Sequence, residues 1–217
     1  MYVHSMLPTK SLIDNGYLSN FAHHVFFSSN IETKISSIDK ISNLDHDDLD
    51  EIKKKLDLPK MVMSPAVCYH CFETLKKTRI NKNIVYNSIS SCNRFENQNY
   101  KSLERLQSFT MREYVAFGDE KFINFFLKKT LNYFKKYFIA RKIYFRIVTA
   151  SDAFFSQKGM SRMAYQKINE LKYEIQFWLP DEKKWLAVGS FNNHLDVLSK
   201  KYEIINRTGK ILNSACI

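Results

Sequence analysis

Hydrophobic positions recur along this chain with two different periods, and the switches between them divide it into elements. From Ile84 to Phe95 and from Leu106 to Phe117, apolar residues alternate with polar ones on either side of a polar stretch, which predicts an antiparallel strand pair. Met61, Val62 and Met63 read as a short strand running into Ser64-Pro65. Ile143 to Thr149 is a β-branched and aromatic strand that breaks at Ala150-Ser151-Asp152. Tyr173 to Leu179 and Trp185 to Phe191 flank a turn at Pro180-Asp181-Glu182-Lys183, a second antiparallel pair. Helical spacing governs the segment from Asp119-Glu120 to about Ala140, where Phe122, Phe125, Phe126, Leu131, Tyr133, Phe134, Tyr137 and Phe138 mark an amphipathic helix packing inward. Shorter helices are expected at 9–21 around Leu12 and Ile13, from Val67 to Lys77, and at 161–170. Asp45 to Leu56 reads as a helix with Asp45, Asp47 and Asp48 at its N-terminal turn and Lys53, Lys54 and Lys55 near its end, as the macrodipole favours, and Pro59 stops it. Phe26 to Ile41 reads as strand and loop. The expected fold class is α+β, one domain over 1–217 built on a mainly antiparallel sheet flanked by helices.

Charge adds a constraint that periodicity does not. The 217 residues include 33 Lys and Arg against 22 Asp and Glu, a formal net charge of +11, so the surface attracts anions: nucleotides, nucleic acid or an acidic protein. Lysines interleave with aromatics from Lys128-Lys129 to Lys142, but the aromatic spacing is that of a packed helix face, and nucleic-acid binding is the secondary reading there. No run of 18 apolar residues occurs, which excludes a membrane-spanning helix, and the first residues lack a basic region followed by a long apolar one. A cytoplasmic location is expected. The four cysteines, Cys68, Cys71, Cys92 and Cys216, are too few and too irregular for a disulfide framework, leaving buried apolar residues or metal ligands. Cys68-Tyr69-His70-Cys71 has the spacing of half a zinc site.

The strand pair carries charges that apolar strands normally exclude. Arg94 and Glu96 are two apart and expected on one face; Arg112 and Glu113 sit among Phe109, Met111, Tyr114 and Phe117. Two arginines and two carboxylates aimed into one cleft suit nucleotide chemistry, because a guanidinium fork binds phosphate oxygens and an aromatic such as Phe109 stacks on a purine. Arg94 in mid-sheet needs a compensating charge, from Glu96 as a structural salt bridge or from a phosphate.

The order Cys92-Asn93-Arg94-Phe95-Glu96, then Arg105, Gln107, Phe109 and Met111-Arg112-Glu113-Tyr114-Val115, resembles motif 2 of class II aminoacyl-tRNA synthetases, at about 91–118. It is most similar to the seryl-tRNA synthetase-like amino acid:[carrier protein] ligases. The resemblance continues through Ser64-Pro65-Ala66-Val67-Cys68-Tyr69, Thr149-Ala150-Ser151-Asp152, Gln166 with Leu171-Lys172-Tyr173-Glu174, Ser190-Phe191-Asn192-Asn193-His194 and Asn213-Ser214-Ala215-Cys216. Most of motif 1 would lie before Met1, and motif 3 is absent before Ile217.

The resemblance implies a class II synthetase-like sheet and an adenylate-forming enzyme using ATP, Mg2+ and Zn2+. A small amino acid would be activated and passed to the phosphopantetheine thiol of an acidic carrier protein. Charging of tRNA is not expected, since no coiled-coil arm precedes the core, and a homodimer is compatible. By the same resemblance Arg94 is the catalytic arginine on the α-phosphate; Arg105 and Arg112 contact phosphate or substrate; and Phe109 stacks on adenine. Glu113, Lys172, Glu174, Ser190 and Asn192 line the amino acid site, and Cys68, Glu96 and Cys216 hold zinc. Cys216, next to the last residue, is expected to lie in a fraying segment. The alternative is a catalytically incomplete paralogue, binding an amino acid or serving as a partner subunit.

Overall fold

The structure, a computed structural model, describes residues 1–43, 49–96, 104–152 and 157–217, with the side chains of 157–160 and 162 also outside the description. In chain order the elements are β1 (Met6–Pro8), α1 (Thr9–Asp14), α2 (Leu18–Phe21), β2 (Phe27–Ser28), α3 (Ile35–Ser42), α4 (Leu49–Lys54), β3 (Met61–Met63), α5 (Cys68–Thr74), β4 (Arg79–Ile80), β5 (Ile84–Asn93) and β6 (Ser108–Gly118). There follow α6 (Glu120–Ala140), β7 (Phe145–Thr149), α7 (Gln157–Ile168), β8 (Lys172–Leu179), β9 (Lys184–Leu195), α8 (Val197–Lys201), β10 (Ile205–Asn206) and β11 (Asn213–Cys216).

Six strands form the main sheet in the order β5-β6-β11-β9-β8-β7, every neighbouring pair antiparallel. Its two faces are buried by different partners. On one, α6 lays Ile123 against Ala116 and Ala215, and Phe138 against Ile175 and Phe191. Phe138 meets Phe177 edge-on at 5.0 Å and Phe145 at 5.3 Å, contacts that add to the apolar area removed from water. Asp119 caps this helix, its carboxylate accepting from the Phe122 N–H at 2.7 Å, and Gly118 lets the chain turn into it: a Cβ there would meet Asn83 Oδ1 at 2.4 Å. On the other face Val115, Phe117 and Cys216 pack against Phe72 of α5 and against Tyr202 and Ile204. A smaller sheet, β1-β3-β2, closes over Leu7, Leu12, Val25 and Val62.

The α+β class with a mainly antiparallel sheet is as the alternation predicts. Three expectations change. Residues 26–41 contain the helix α3 rather than only strand and loop. β5 ends at Asn93, so Arg94 and Glu96 follow the strand instead of standing within it. Cys216 does not fray: β11 lies between β6 and β9, Cys216 paired with Val115 on one side and Asn192 on the other, and Ile217 exchanges both backbone hydrogen bonds with Tyr114. Asp45, Asp47 and Asp48, expected at a helix N-terminus, lie outside the described residues. No helix among the described residues is long and apolar enough to cross a membrane.

Because Phe138 joins α6 to three strands, Phe138→Ala is expected to destabilise the fold by about 3–5 kcal/mol, measured by urea unfolding.

Candidate functional site

Antiparallel register puts directly opposed residues on the same face. Val115, Cys216, Asn192 and Lys172 stand opposite one another across β6, β11, β9 and β8, and all therefore face away from α6. Glu113 is two residues from Val115, His194 two from Asn192, and Glu174 pairs with Ser190, so the same face carries these as well. Cys68, at the start of α5, meets this row: Cys68 Sγ, a Glu113 carboxylate oxygen and Cys216 Sγ all lie within 4.8 Å of one another, and all three residues are buried. The Cys68 backbone N–H donates to Glu113 Oε2 at 2.5 Å. His194 Nε2 is 3.2 Å from Cys216 Sγ, and Asn192 Nδ2 donates to that sulfur at 3.5 Å and to Ser190 Oγ at 3.0 Å.

Burial among anionic neighbours sets the protons of this group. Desolvation, reinforced by the Cys216 sulfur, pushes the Glu113 carboxyl up to about 8, against the pull of the Cys68 N–H. The Cys68 thiol donates toward Cys216, which holds Cys216 well below the ordinary thiol range and Cys68 well above it; one proton serves both sulfurs. Burial works against a charged His194, but the Cys216 sulfur outweighs it and raises the imidazole. Two soft sulfurs and one hard oxygen, buried and converging, are the donor set that fits a tetrahedral zinc ion with one position left over. Glu113 and Cys68 also carry the protons that a metal displaces on binding.

No protein-family model matches the chain. Amino acid–[acyl-carrier-protein] ligase 2 of Bradyrhizobium diazoefficiens is 30% identical to it over 159 residues, 72% of this chain and 47% of the relative. The chain is a relative of the seryl-tRNA synthetase-like amino acid–[carrier protein] ligases. Its fold is that of class II synthetase catalytic domains: a Methanopyrus kandleri seryl-tRNA synthetase, solved with an A. aeolicus tRNASec, superposes with a TM-score of 0.86 at 20% identity, covering 99% of this chain and 45% of that one. Seryl-tRNA synthetase from Pyrococcus horikoshii complexed with ATP gives 0.66 at 14% identity, over 100% of this chain and 43% of that one. The chain thus spans about half the length of the curated ligases it matches.

In this ligase-like site the carboxylate beside the two cysteines is Glu113, expected to line the amino acid pocket, and not Glu96. The Glu96 carboxylate instead accepts from Arg105 Nη1 at 3.2 Å. The reason is local: β5 has ended before Glu96, whereas Glu113 stands inside β6, two residues from the partner of Cys216. Arg105, itself mostly exposed, is occupied by that pair. Arg94 Nε donates to the Pro65 carbonyl at 2.9 Å, and its guanidinium lies 5.5 Å from the centre of the Phe109 ring, so these two predicted nucleotide residues do meet. Among the described residues the terminal nitrogens of Arg94 make no hydrogen bond. Arg112 does not join them, being exposed and one residue out of phase with Phe109 and Glu113.

Lys172 is not a free cation: it pairs with Asp152 Oδ1 at 2.5 Å, while Gln166 donates to Asp152 Oδ2 and accepts from its backbone N–H, both at 2.9 Å. Burial pushes Asp152 up, but Lys172 and Gln166 outweigh it and hold the carboxyl below its usual range. Glu174 accepts from the Gln176 amide at 3.2 Å and, among the described residues, has no cationic partner. Cys71 and Cys92 stay outside the cluster: Cys71 lies 3.4 Å from Ser88 Oγ, and burial pushes the two thiols up to about 11 and about 12. His70 contacts Ser64 Oγ at 3.1 Å. Sequence reasoning gave no role to Asp152, Gln166 or His194, although all three stand in the blocks that carry the resemblance. Sequence reasoning gave Tyr17 no role at the site either; it is half-buried with its ring edge-on to Tyr69, and desolvation raises its hydroxyl to about 12, with Arg94 opposing and Cys68, Asp152 and Glu96 adding.

The raised Glu113 carboxyl makes a signed prediction. Its folded value, about 8, exceeds the ordinary 4.5, so the folded state keeps a proton that the unfolded state has released. Stability from this group is full below pH 4.5 and is lost as pH rises toward 8. In chelator-treated protein, the stability of the wild type relative to Glu113→Gln should fall across that window by an amount on the order of a few kcal/mol, read from urea melts at each pH.

Proposed function

We propose that this chain activates a small amino acid with ATP and Mg2+ as an aminoacyl-adenylate and transfers the aminoacyl group to the phosphopantetheine thiol of an acidic carrier protein. The observation that carries this reading is the buried Cys68–Glu113–Cys216 group set in a polar sheet face beside Arg94 and Phe109. The relatives named as amino acid–[acyl-carrier-protein] ligases support the same chemistry.

The substrate carboxylate attacks the α-phosphorus in line, an α-phosphate P–O bond breaks, and pyrophosphate leaves. Arg94, anchored through Nε to Pro65, presents its terminal nitrogens to the charge that builds on the phosphate oxygens. Phe109 stacks on the adenine. Cys68, Glu113 and Cys216 would hold a zinc ion, which would offer an open coordination position to the neutral amino group of the substrate. Ser190 and Asn192 line the floor, and the Asp152–Lys172–Gln166 network fixes one wall. In the second step the carrier thiolate attacks the acyl carbon and AMP departs. The net charge of +11 favours encounter with an acidic carrier, and a cytoplasmic setting keeps the four free thiols reduced.

Amino acid-dependent pyrophosphate exchange tests the first step. Arg94→Ala is expected to lower it by about 10²–10³-fold, some 3–4 kcal/mol of barrier, with zinc content and melting temperature nearly unchanged. Amino acid binding without any exchange in the wild type would instead make this chain a binding subunit.

Metal analysis tests the site separately. Purified protein should hold about one zinc per chain; Cys68→Ser, Glu113→Ala and Cys216→Ser should each lower zinc content and amino acid affinity together. Glu96→Ala should leave the metal in place. Full zinc retention by Glu113→Ala would overturn the ligand assignment.

A further inference from the structure

Residues 121–151 contain eight Lys and Arg and no Asp or Glu, leaving 25 Lys and Arg against 22 Asp and Glu in the rest of the chain. Most of the net charge therefore sits on α6 and the turn into β7. Lys121, Lys128 and Lys135 recur every seven residues, so they form one stripe along the solvent face of α6, about 10 Å apart. Lys129 and Lys136 run beside it. Lysines about 10 Å apart lie near the screening length at physiological salt, and their fields overlap. Among the described residues none of the eight forms a salt bridge, although seven other lysines and arginines make nine such pairs.

The same face leaves flat rings in water. Phe125 is 60% and Tyr133 63% exposed, on a helix whose inner aromatics are packed. Cations lie over neighbouring rings: Lys129 over Phe125 at 5.4 Å and Arg141 over Tyr137 at 3.6 Å. A recess of about 590 Å³ opens alongside, lined in part by Asn124, Lys128, Lys135, Tyr173 and Asn193.

We propose that this face of α6, continued through Arg141, binds single-stranded RNA. A second copy of the chain fits poorly, because a symmetric contact would set lysines against lysines. An acidic protein would satisfy the lysines but has no need of the exposed rings, whereas unpaired bases stack on such rings while their phosphates track the cations. A duplex hides its base faces. The exposed amides of Asn124 and Asn132, set among the lysines, offer acceptors to the 2′-hydroxyl that distinguishes RNA from DNA. The surface lies across the sheet from Cys68, Glu113 and Cys216, so the proposal is independent of the reaction at that site.

The test is fluorescence anisotropy with a labelled mixed-sequence RNA of about 12 nucleotides on the whole chain, over about 50–300 mM salt. Four phosphate contacts predict that the logarithm of the association constant falls with that of salt with a slope of about −3. Changing Lys128, Lys129, Lys135 and Lys136 together to Gln should weaken binding at least about tenfold and flatten the slope, and Tyr133→Ala should weaken it about five- to a hundredfold with the slope kept. These side chains face solvent, so melting should be unchanged; were the quadruple variant not to fold, Lys128→Gln with Lys135→Gln and the single Tyr133→Ala give the same answer. Wild-type affinity in the lysine variants, no effect of Tyr133→Ala, equal binding of DNA of the same sequence, or equal competition by poly-glutamate would each overturn the proposal.

Discussion

The pairing of β11 between β6 and β9 is the contact on which the rest of this structure depends. It joins the β5–β6 pair to the β9–β8–β7 meander, and without it the sheet would be two separate antiparallel pieces. It also fixes chemistry. With Cys216 opposite Val115 and Asn192, the sulfur points to the face that carries Glu113 and His194; a one-residue slip would turn it toward α6 and exchange it for Ala215. Register is thus strongly specified, because Ala116 and Ala215 must meet Ile123 on the opposite side.

The two faces of the sheet solve opposite problems. Against α6 the sheet is apolar and aromatic and contributes stability by burial. The other face is apolar only under α5, where Phe72 stacks on Tyr202, and is polar beyond it. There the structure gathers a carboxyl, two thiols, an imidazole and an ion pair in partial or full burial, an arrangement that costs stability unless the groups share protons and hydrogen bonds or take up a cation. Burial and the Cys216 sulfur push the Glu113 carboxyl well above its ordinary range for this reason, and Cys68 shares its proton with Cys216. The same economy explains Asp152, whose carboxyl Lys172 and Gln166 hold below its usual range against the effect of burial.

Charge on the outside follows the opposite logic. Lys172 and Lys184 are paired to carboxylates, while among the described residues the eight cations from Lys121 to Arg146 form no salt bridge. Like charges on a solvated helix are tolerated because water screens them, so this asymmetry costs little in folding and remains available for an anionic partner.

Much of the architecture was legible in the chain itself. Period-two alternation located β5, β6, β8 and β9 to within a few residues, and the aromatic stripe located α6, because these patterns record which face of each element is buried. The separated blocks, from Ser64-Pro65-Ala66 to Asn213-Ser214-Ala215-Cys216, carried the ligase-like relationship, since each block is a local string. What the chain alone could not decide was which of two carboxylates seventeen residues apart would face the cysteines. Glu96 and Glu113 are equivalent in sequence terms; only the end of β5 at Asn93 and the β6–β11 register separate them, turning Glu96 to Arg105 and Glu113 to Cys68 and Cys216. The fate of Cys216 was undecided for the same reason: whether a short segment frays or becomes a central strand depends on long-range backbone pairing, which no local pattern of four residues encodes.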